Sequence, residues 1–164
     1  MSYHIYTTPG IVLRHWSLRE ADRVYVILTR DLGLIRASAI GVRKETSKLR
    51  GALEPLSLST VSLVRGKEYW RITSAVFESA IPPKFAAPLS LLEKLVAGES
   101  ANRELFNGVQ KKVESYDPAD DMFEPRLVAE ILFHLGYLQE SDRVLGKKDL
   151  IKAINKGLRA SGLV

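Results

Sequence analysis

The residues with the clearest chemistry in this sequence of 164 residues are four cations in one short stretch. They fall within the segment IGVRKETSKLRGALEP, residues 40–55, where Glu45 is the only acid before Glu54. The four are Arg43, Lys44, Lys48 and Arg50. Guanidinium and ammonium groups clustered in this way can neutralise the phosphates of a polyanion. The stretch is therefore a candidate phosphate-binding site, and a solvated surface loop is the alternative interpretation.

Other residue types that could do chemistry form no catalytic or metal-binding pattern. The three histidines, His4, His15 and His134, are far apart and lack the spacing of a metal-binding pair. Cysteine is absent, which removes disulfides, thiolate nucleophiles and cysteine-containing zinc sites. Neither a G-x-S-x-G elbow nor a glycine-rich phosphate loop is present. We therefore expect a protein that is not an enzyme and binds no metal through these residues, with His134 packed in the third helix or at its rim.

The net charge of +5 comes entirely from the first half of the chain. Residues 1–80 contain 12 Lys and Arg against 7 Asp and Glu, whereas residues 81–164 contain 12 of each. A basic half of this kind favours a polyanionic partner. The longest apolar runs are much shorter than the ~20 residues of a membrane helix, and no secretion signal begins the chain. These features predict a soluble, cytoplasmic protein that does not bind membranes.

The first half has the two-residue period of β-strands. From Gly10 to Glu78, apolar and polar side chains alternate in five short runs, and the segment RDLGL predicts a tight turn at Gly33. Five short strands in about 70 residues are typical of the OB-fold, a small closed barrel. A five-stranded sandwich-like sheet is the alternative that the pattern leaves open.

The second half has the period of helices. The segment IPPKFAAP, residues 81–88, separates the two patterns, because consecutive prolines cannot continue a β ladder. Four apolar stripes with helical spacing follow, and the third closes at Gly136. We predict a five-stranded OB-fold barrel followed by a small helical bundle, divided into an OB-fold nucleic-acid-binding domain at 1–80 and a helical domain at 81–164.

Two further sets of cations are candidate binding residues. In the barrel, second-choice contacts to nucleic acid are Arg14, Arg36, Arg65 and Lys67. Aromatic residues that could stack on bases are interspersed among them, namely Trp16, Tyr25, Tyr69 and Trp70, although a core position is the simpler interpretation of each except Trp16. In the fourth helix, the face opposite Leu150, Ile151, Ile154 and Leu158 carries Lys148, Lys152, Lys156 and Arg159. That face could bind a partner protein, and a solvated helix face is the alternative.

Several of these motifs, in this order and spacing, resemble the RecO family of bacterial recombination mediators. The resemblance covers residues 10–58: an opening Gly-Ile-Val-Leu, the EADR motif at 20–23, the turn at 29–33, the basic stretch after Gly41, and Leu53 to Pro55. A second segment, residues 126–146, is similar to the RecO helix that often precedes a zinc ribbon. No cysteine follows Arg143, so the sequence resembles a short, cysteine-free variant without that ribbon.

The resemblance implies a non-enzymatic protein of recombinational DNA repair. Members of the family bind single- and double-stranded DNA, promote strand annealing, and work with RecR to load recombinase onto DNA coated by the single-stranded DNA-binding protein, SSB. The cations of the barrel would be the DNA contacts, no cofactor would be needed, and the protein would associate with the nucleoid. Two alternatives stay open. One is a protein-interaction adapter whose fourth helix captures an acidic SSB tail, and the other is an RNA-binding OB-fold module.

Overall fold

The computed structural model describes residues 2–164. Its N-terminal half consists of five strands: β1 (Tyr6–Ser17), β2 (Arg23–Thr29), β3 (Gly33–Ala39), β4 (Ser57–Val64) and β5 (Trp70–Ala80). They form a closed sheet in the order β1-β2-β3-β5-β4. The prediction of an OB-fold barrel is confirmed, and the sandwich-like alternative is wrong because the sheet closes on itself.

The barrel closes through a short parallel contact between β3 and β5. Only two residue pairs join these strands, Ala37 with Trp70 and Ser38 with Arg71, whereas β1 pairs along its length with β2 and β4. The interior is filled by apolar side chains from all five strands and from the connection between β3 and β4. Its largest members are Tyr25, Ile27, Ile35, Leu53, Leu63, Trp70 and Ile72. Tyr25 and Trp70 are therefore core residues rather than stacking surfaces.

The turn between β2 and β3 is held against the helical half of the chain. Gly33 has a φ of +75°, as the predicted turn requires, and a β carbon there would lie 2.6 Å from the carbonyl oxygen of Ser100. Next to it, the Leu34 amide donates a hydrogen bond of 3.1 Å to the Gly98 carbonyl. Backbone contacts thus fix the loop that follows the first helix to the turn between β2 and β3.

Four helices follow the barrel: α1 (Ala86–Leu95), α2 (Arg103–Glu114), α3 (Phe123–His134) and α4 (Lys147–Ala160). Short 3-10 turns precede α1 and α4, at Pro83–Phe85 and Glu140–Val144. The predicted helical second half is confirmed, and Gly136, with a φ of +85°, follows the end of α3. Across residues 2–164, no helix combines the length and apolar character that a membrane crossing requires.

One apolar cluster joins the outer side of the barrel to the helices. Ile11 and Leu58 of the barrel belong to the same buried cluster as Leu92 of α1 and Leu127 of α3. Phe85 belongs to this cluster, and its ring centroid is 5.0 Å from that of Tyr116 and 4.5 Å from that of Phe123. Barrel and helices therefore share a core, and the predicted division into domains at 1–80 and 81–164 stays a prediction.

A buried carboxylate organises the end of α3. Glu130 is 4% exposed and accepts hydrogen bonds from Arg143, at 2.8 and 3.1 Å, while one of its oxygens lies 2.8 Å from His134 Nε2. Gly108 of α2 makes room for this cluster, because a β carbon there would lie 2.6 Å from Glu130 Oε1. The side chain of His134 is 13% exposed, so this histidine lies at the rim of the helical core.

This cluster predicts a pH-dependent contribution to stability. Burial by itself raises the pKa of Glu130, but the hydrogen bonds from His134 and Arg143 and the charge of Arg143 outweigh it, so the net pKa is lowered. A carboxylate whose pKa is lower in the folded state than in the unfolded chain stabilises the fold at every pH above the unfolded-state pKa of about 4.3. This stabilisation is lost as the pH falls through the folded-state pKa. We expect Glu130→Gln to lower the free energy of unfolding by about 3 kcal/mol at pH 7.

The difference between the two proteins should shrink in urea titrations as the pH is lowered below the unfolded-state pKa and the carboxylate of Glu130 becomes protonated. Glu114→Gln is the control, because Glu114 is an exposed acid on α2. An equal loss of stability at pH 7 in both variants would contradict the assigned role of the Glu130 cluster.

Candidate nucleic-acid interface

The basic stretch forms the connection between β3 and β4, and its backbone is anchored to the barrel. Val42 and Leu53, near its two ends, are fully buried in the barrel interior. The Gly41 amide donates a hydrogen bond of 2.7 Å to Asp22 Oδ1, and the Arg43 amide donates one of 3.0 Å to the Ala21 carbonyl. A loop held at these points keeps its position while its polar side chains extend into solvent.

The four cations of this loop are exposed and unneutralised. The β3–β4 cations, as we name them, are Arg43, Lys44, Lys48 and Arg50. In the described part of the chain, none of them forms an ion pair with a carboxylate. Four positive charges within eight residues, each facing water, are available to phosphates. The structure thus brings together on one loop the residues that the sequence ranked first.

Two of the second-choice cations are already paired with acids. Arg14 of β1 donates three hydrogen bonds, of 2.6 to 3.0 Å, to the carboxylate of Glu93 on α1. These bonds raise the pKa of Arg14 and lower that of Glu93. Arg65, just after β4, lies 3.0 Å from Glu99 Oε2. Both cations therefore connect the barrel to the region around the end of α1.

Trp16 and Tyr69 are half-buried at the same end of the barrel. The guanidinium carbon of Arg14 lies 5.0 Å from the centre of the Trp16 ring, and that of Arg36 lies 6.0 Å from it. Tyr69 meets Trp16 edge-on, with 6.4 Å between the ring centroids. Trp16 is thus partly accessible, as the sequence indicated, and it lies among cations. Tyr69 is partly accessible as well, so its interpretation as a core residue is wrong. Lys67, in the connection between β4 and β5, is exposed.

Comparisons with known proteins agree with the geometry of the barrel. Residues 1–80 match the family model described as "Recombination protein O N terminal". The DNA repair protein RecO of Dehalococcoides mccartyi strain BAV1 is 39% identical over 123 residues, which cover 70% of this chain and 49% of the relative. The chain belongs to the RecO family. The DNA repair protein RecO of Synechococcus sp. strain JA-2-3B'a(2-13) is 49% identical over 67 residues, covering 41% of this chain and 24% of the relative.

The first of these matches extends the similarity into the helical half. This RecO-family chain nevertheless spans about half the length, at most, of the curated relatives named above. The resemblance to RecO that the motifs of residues 10–58 predicted is confirmed by the family model, which covers that segment.

The fourth helix of this RecO-family chain displays its cations to solvent. The α4 cations, Lys148, Lys152, Lys156 and Arg159, are all exposed. Leu150 and Ile154 are buried on the opposite side, as predicted, but Ile151 is 40% exposed, so the apolar stripe is narrower than the sequence suggested. Ile151 shares a helical face with Ile154, three residues on, so its exposure shows that the neighbouring helices cover only part of this face.

The sequence alone did not indicate which acids form ion pairs with the arginines of the barrel in this RecO-family chain. Glu93 and Glu99 lie in the half of the chain whose charges balance, with no motif that connects them to Arg14 or Arg65. Their partners are 79 and 34 residues away in sequence. Such pairs depend on how α1 packs on the barrel, which local periodicity does not encode.

Proposed function

We propose that this RecO-family chain is a non-enzymatic DNA-binding protein of recombinational DNA repair. In this proposal it binds single- and double-stranded DNA, promotes the annealing of complementary strands, and helps to load recombinase onto SSB-coated DNA, in the cytoplasm and at the nucleoid. Its relatives carry the name DNA repair protein RecO. The proposal depends mainly on one observation, the anchored loop that displays the four β3–β4 cations. All four are exposed, and none of them forms an ion pair within residues 2–164.

Charge accounts for both binding and annealing. Each phosphate that a lysine or arginine neutralises releases condensed counterions, which favours association at low salt. Two complementary strands repel each other, and a cationic surface that screens this repulsion allows them to approach. Because phosphates look alike along every sequence, such contacts bind DNA without sequence preference. Arg36 and Lys67, exposed on the barrel, would add to the same surface.

The test is a salt titration of binding to a labelled single-stranded oligothymidylate. With four phosphate contacts, the logarithm of the binding constant should fall against the logarithm of salt concentration with a slope of about −3. Competition by matched DNA and RNA strands in the same assay separates a DNA-binding protein from an RNA-binding OB-fold module. Absence of binding at low salt would refute the proposal.

A second candidate, a protein-interaction adapter, has the exposed α4 cations in its favour. An acidic segment, such as the SSB tail implied by the resemblance, could lie along this helix, and a RecR-like protein could bind elsewhere on the chain. Calorimetric titration with an acidic SSB-tail peptide tests this adapter function. No heat of binding at low salt would count against it, whatever the outcome with DNA.

A further inference from the structure

Two acids near the end of α1 form ion pairs with arginines of the barrel. Glu93 accepts three hydrogen bonds from Arg14, and Glu99 contacts Arg65 through one oxygen, at 3.0 Å. The other oxygen of Glu99 accepts a hydrogen bond of 3.0 Å from Trp70 Nε1. Each carboxylate thus makes more than one polar contact, and both acids belong to the helical half while their partners belong to the barrel.

The backbone around Glu99 is fixed to the barrel. On one side of Glu99, the Gly98 carbonyl accepts a hydrogen bond from the Leu34 amide; on the other, Ser100 packs directly against Gly33. Glu99 is therefore held beside Arg65 by contacts of its neighbours, independently of its own charge. A side chain placed in this way stays next to its cation even where the ion pair itself adds little stability.

These acids line a cleft on the face of β2 and β3. The cleft has a volume of about 350 Å³ and is bordered by Val26 and Leu34 of these strands, by Arg36, and by three acids, the exposed Glu68 together with Glu93 and Glu99. Beside it lie the half-buried ring of Trp16 and the guanidinium of Arg65, which is 4.2 Å from the centre of the Trp70 ring. In OB-folds this strand face and the adjoining loops are a frequent location for oligonucleotides.

We propose that this cleft is a second binding surface for single-stranded nucleic acid, and that Glu93 and Glu99 mask it in the free protein. Phosphates would contact Arg14 and Arg65 in place of the two carboxylates, and a base would stack against Trp16. The inference rests on the proposed function, since it gives the same barrel a second surface with its own control. The β3–β4 cations stay available throughout and provide the first contact with the strand.

The masking is weak enough to be displaced. The side chain of Arg14 is 49% exposed and that of Arg65 is 67% exposed, so water and salt already screen both pairs. A polyanion presents several phosphates at once, whereas each acid offers one charge. A strand held at the β3–β4 cations would therefore compete effectively for Arg14 and Arg65 as it extends along the barrel.

The test compares two double variants with the same net charge. Glu93→Gln with Glu99→Gln removes the masking charges, whereas Glu114→Gln with Glu140→Gln removes two exposed acids of the helical half that form no ion pair in the described chain. Binding of oligothymidylate is measured for both variants and the unchanged protein at low and high salt. We expect the first variant to bind about fivefold more tightly than the control at low salt, with the difference disappearing at high salt.

If the double variant does not fold, the single variants Glu93→Gln and Glu99→Gln replace it in the test. Each should change the logarithm of the binding constant by about half as much as the double variant. Equal affinity of the masking variant and the control would overturn the masking while the proposed function stands. Binding by the masking variant alone would support the masking even if the unchanged protein failed to bind. Binding by none of the three proteins would overturn both proposals.

Discussion

Replacement of all four β3–β4 cations by alanine is expected to lower the affinity for single-stranded DNA by about a hundredfold at low salt. The variant is Arg43→Ala, Lys44→Ala, Lys48→Ala and Arg50→Ala. The loss follows from the counterions that these exposed side chains release on binding, so the salt slope should also become shallower by about 3. Fluorescence anisotropy at several salt concentrations measures both quantities. Stability should change little, because these side chains face water and form no ion pairs in residues 2–164.

The control removes the same charge from the helical half. It replaces four lysines that lie outside the ion pairs of the described chain: Lys84, Lys94, Lys111 and Lys112. If attraction to DNA depended only on net charge, both variants would lose affinity equally. Equal losses, or an unchanged slope in the loop variant, would show that the β3–β4 cations are not the phosphate contacts.

Substitution of Phe85 by alanine should lower the free energy of unfolding by about 4 kcal/mol. Phe85 is fully buried, and its ring packs against those of Tyr116 and Phe123 in the cluster that also contains Ile11 of the barrel. Removing the ring leaves a cavity where strands and helices meet, which neighbouring side chains can fill only in part. Urea unfolding followed by circular dichroism measures the loss.

Phe77→Ala is the matched control for this substitution. Phe77 lies on β5 and is 50% exposed, so the same change of side chain should cost less than about 1 kcal/mol. A comparable loss in the two variants would mean that Phe85 does not contribute more to the shared core than a half-exposed residue does.

The elements of the fold could be predicted because each half of the sequence has one consistent period. Alternation from Gly10 to Glu78 indicated five strands, and the prolines at 82, 83 and 88 marked the change to helices. Residues near one another in sequence decide such patterns, so local reasoning was sufficient. The turn at Gly33 was predictable for the same reason, since its positive φ is a local requirement.

The surroundings of the candidate site required the three-dimensional structure. Arg14 and Arg65 looked like free cations in the sequence, and their pairing with Glu93 and Glu99 follows from the packing of α1 and the loop after it. The exposure of Ile151 could not be predicted for a similar reason, because it depends on which part of α4 the neighbouring helices cover. The β3–β4 cations were predictable as a cluster because they are close together in sequence and are exposed.

The positions of the aromatic rings give the protein an internal optical signal for one of its two surfaces. Its only two tryptophans are Trp16, beside Arg14, and Trp70, which is hydrogen-bonded to Glu99. No tryptophan lies in residues 40–56, the connection that carries the β3–β4 cations. Ligands that displace Glu93 and Glu99 should therefore change the emission spectrum of the unlabelled chain more than a strand held only at the loop does.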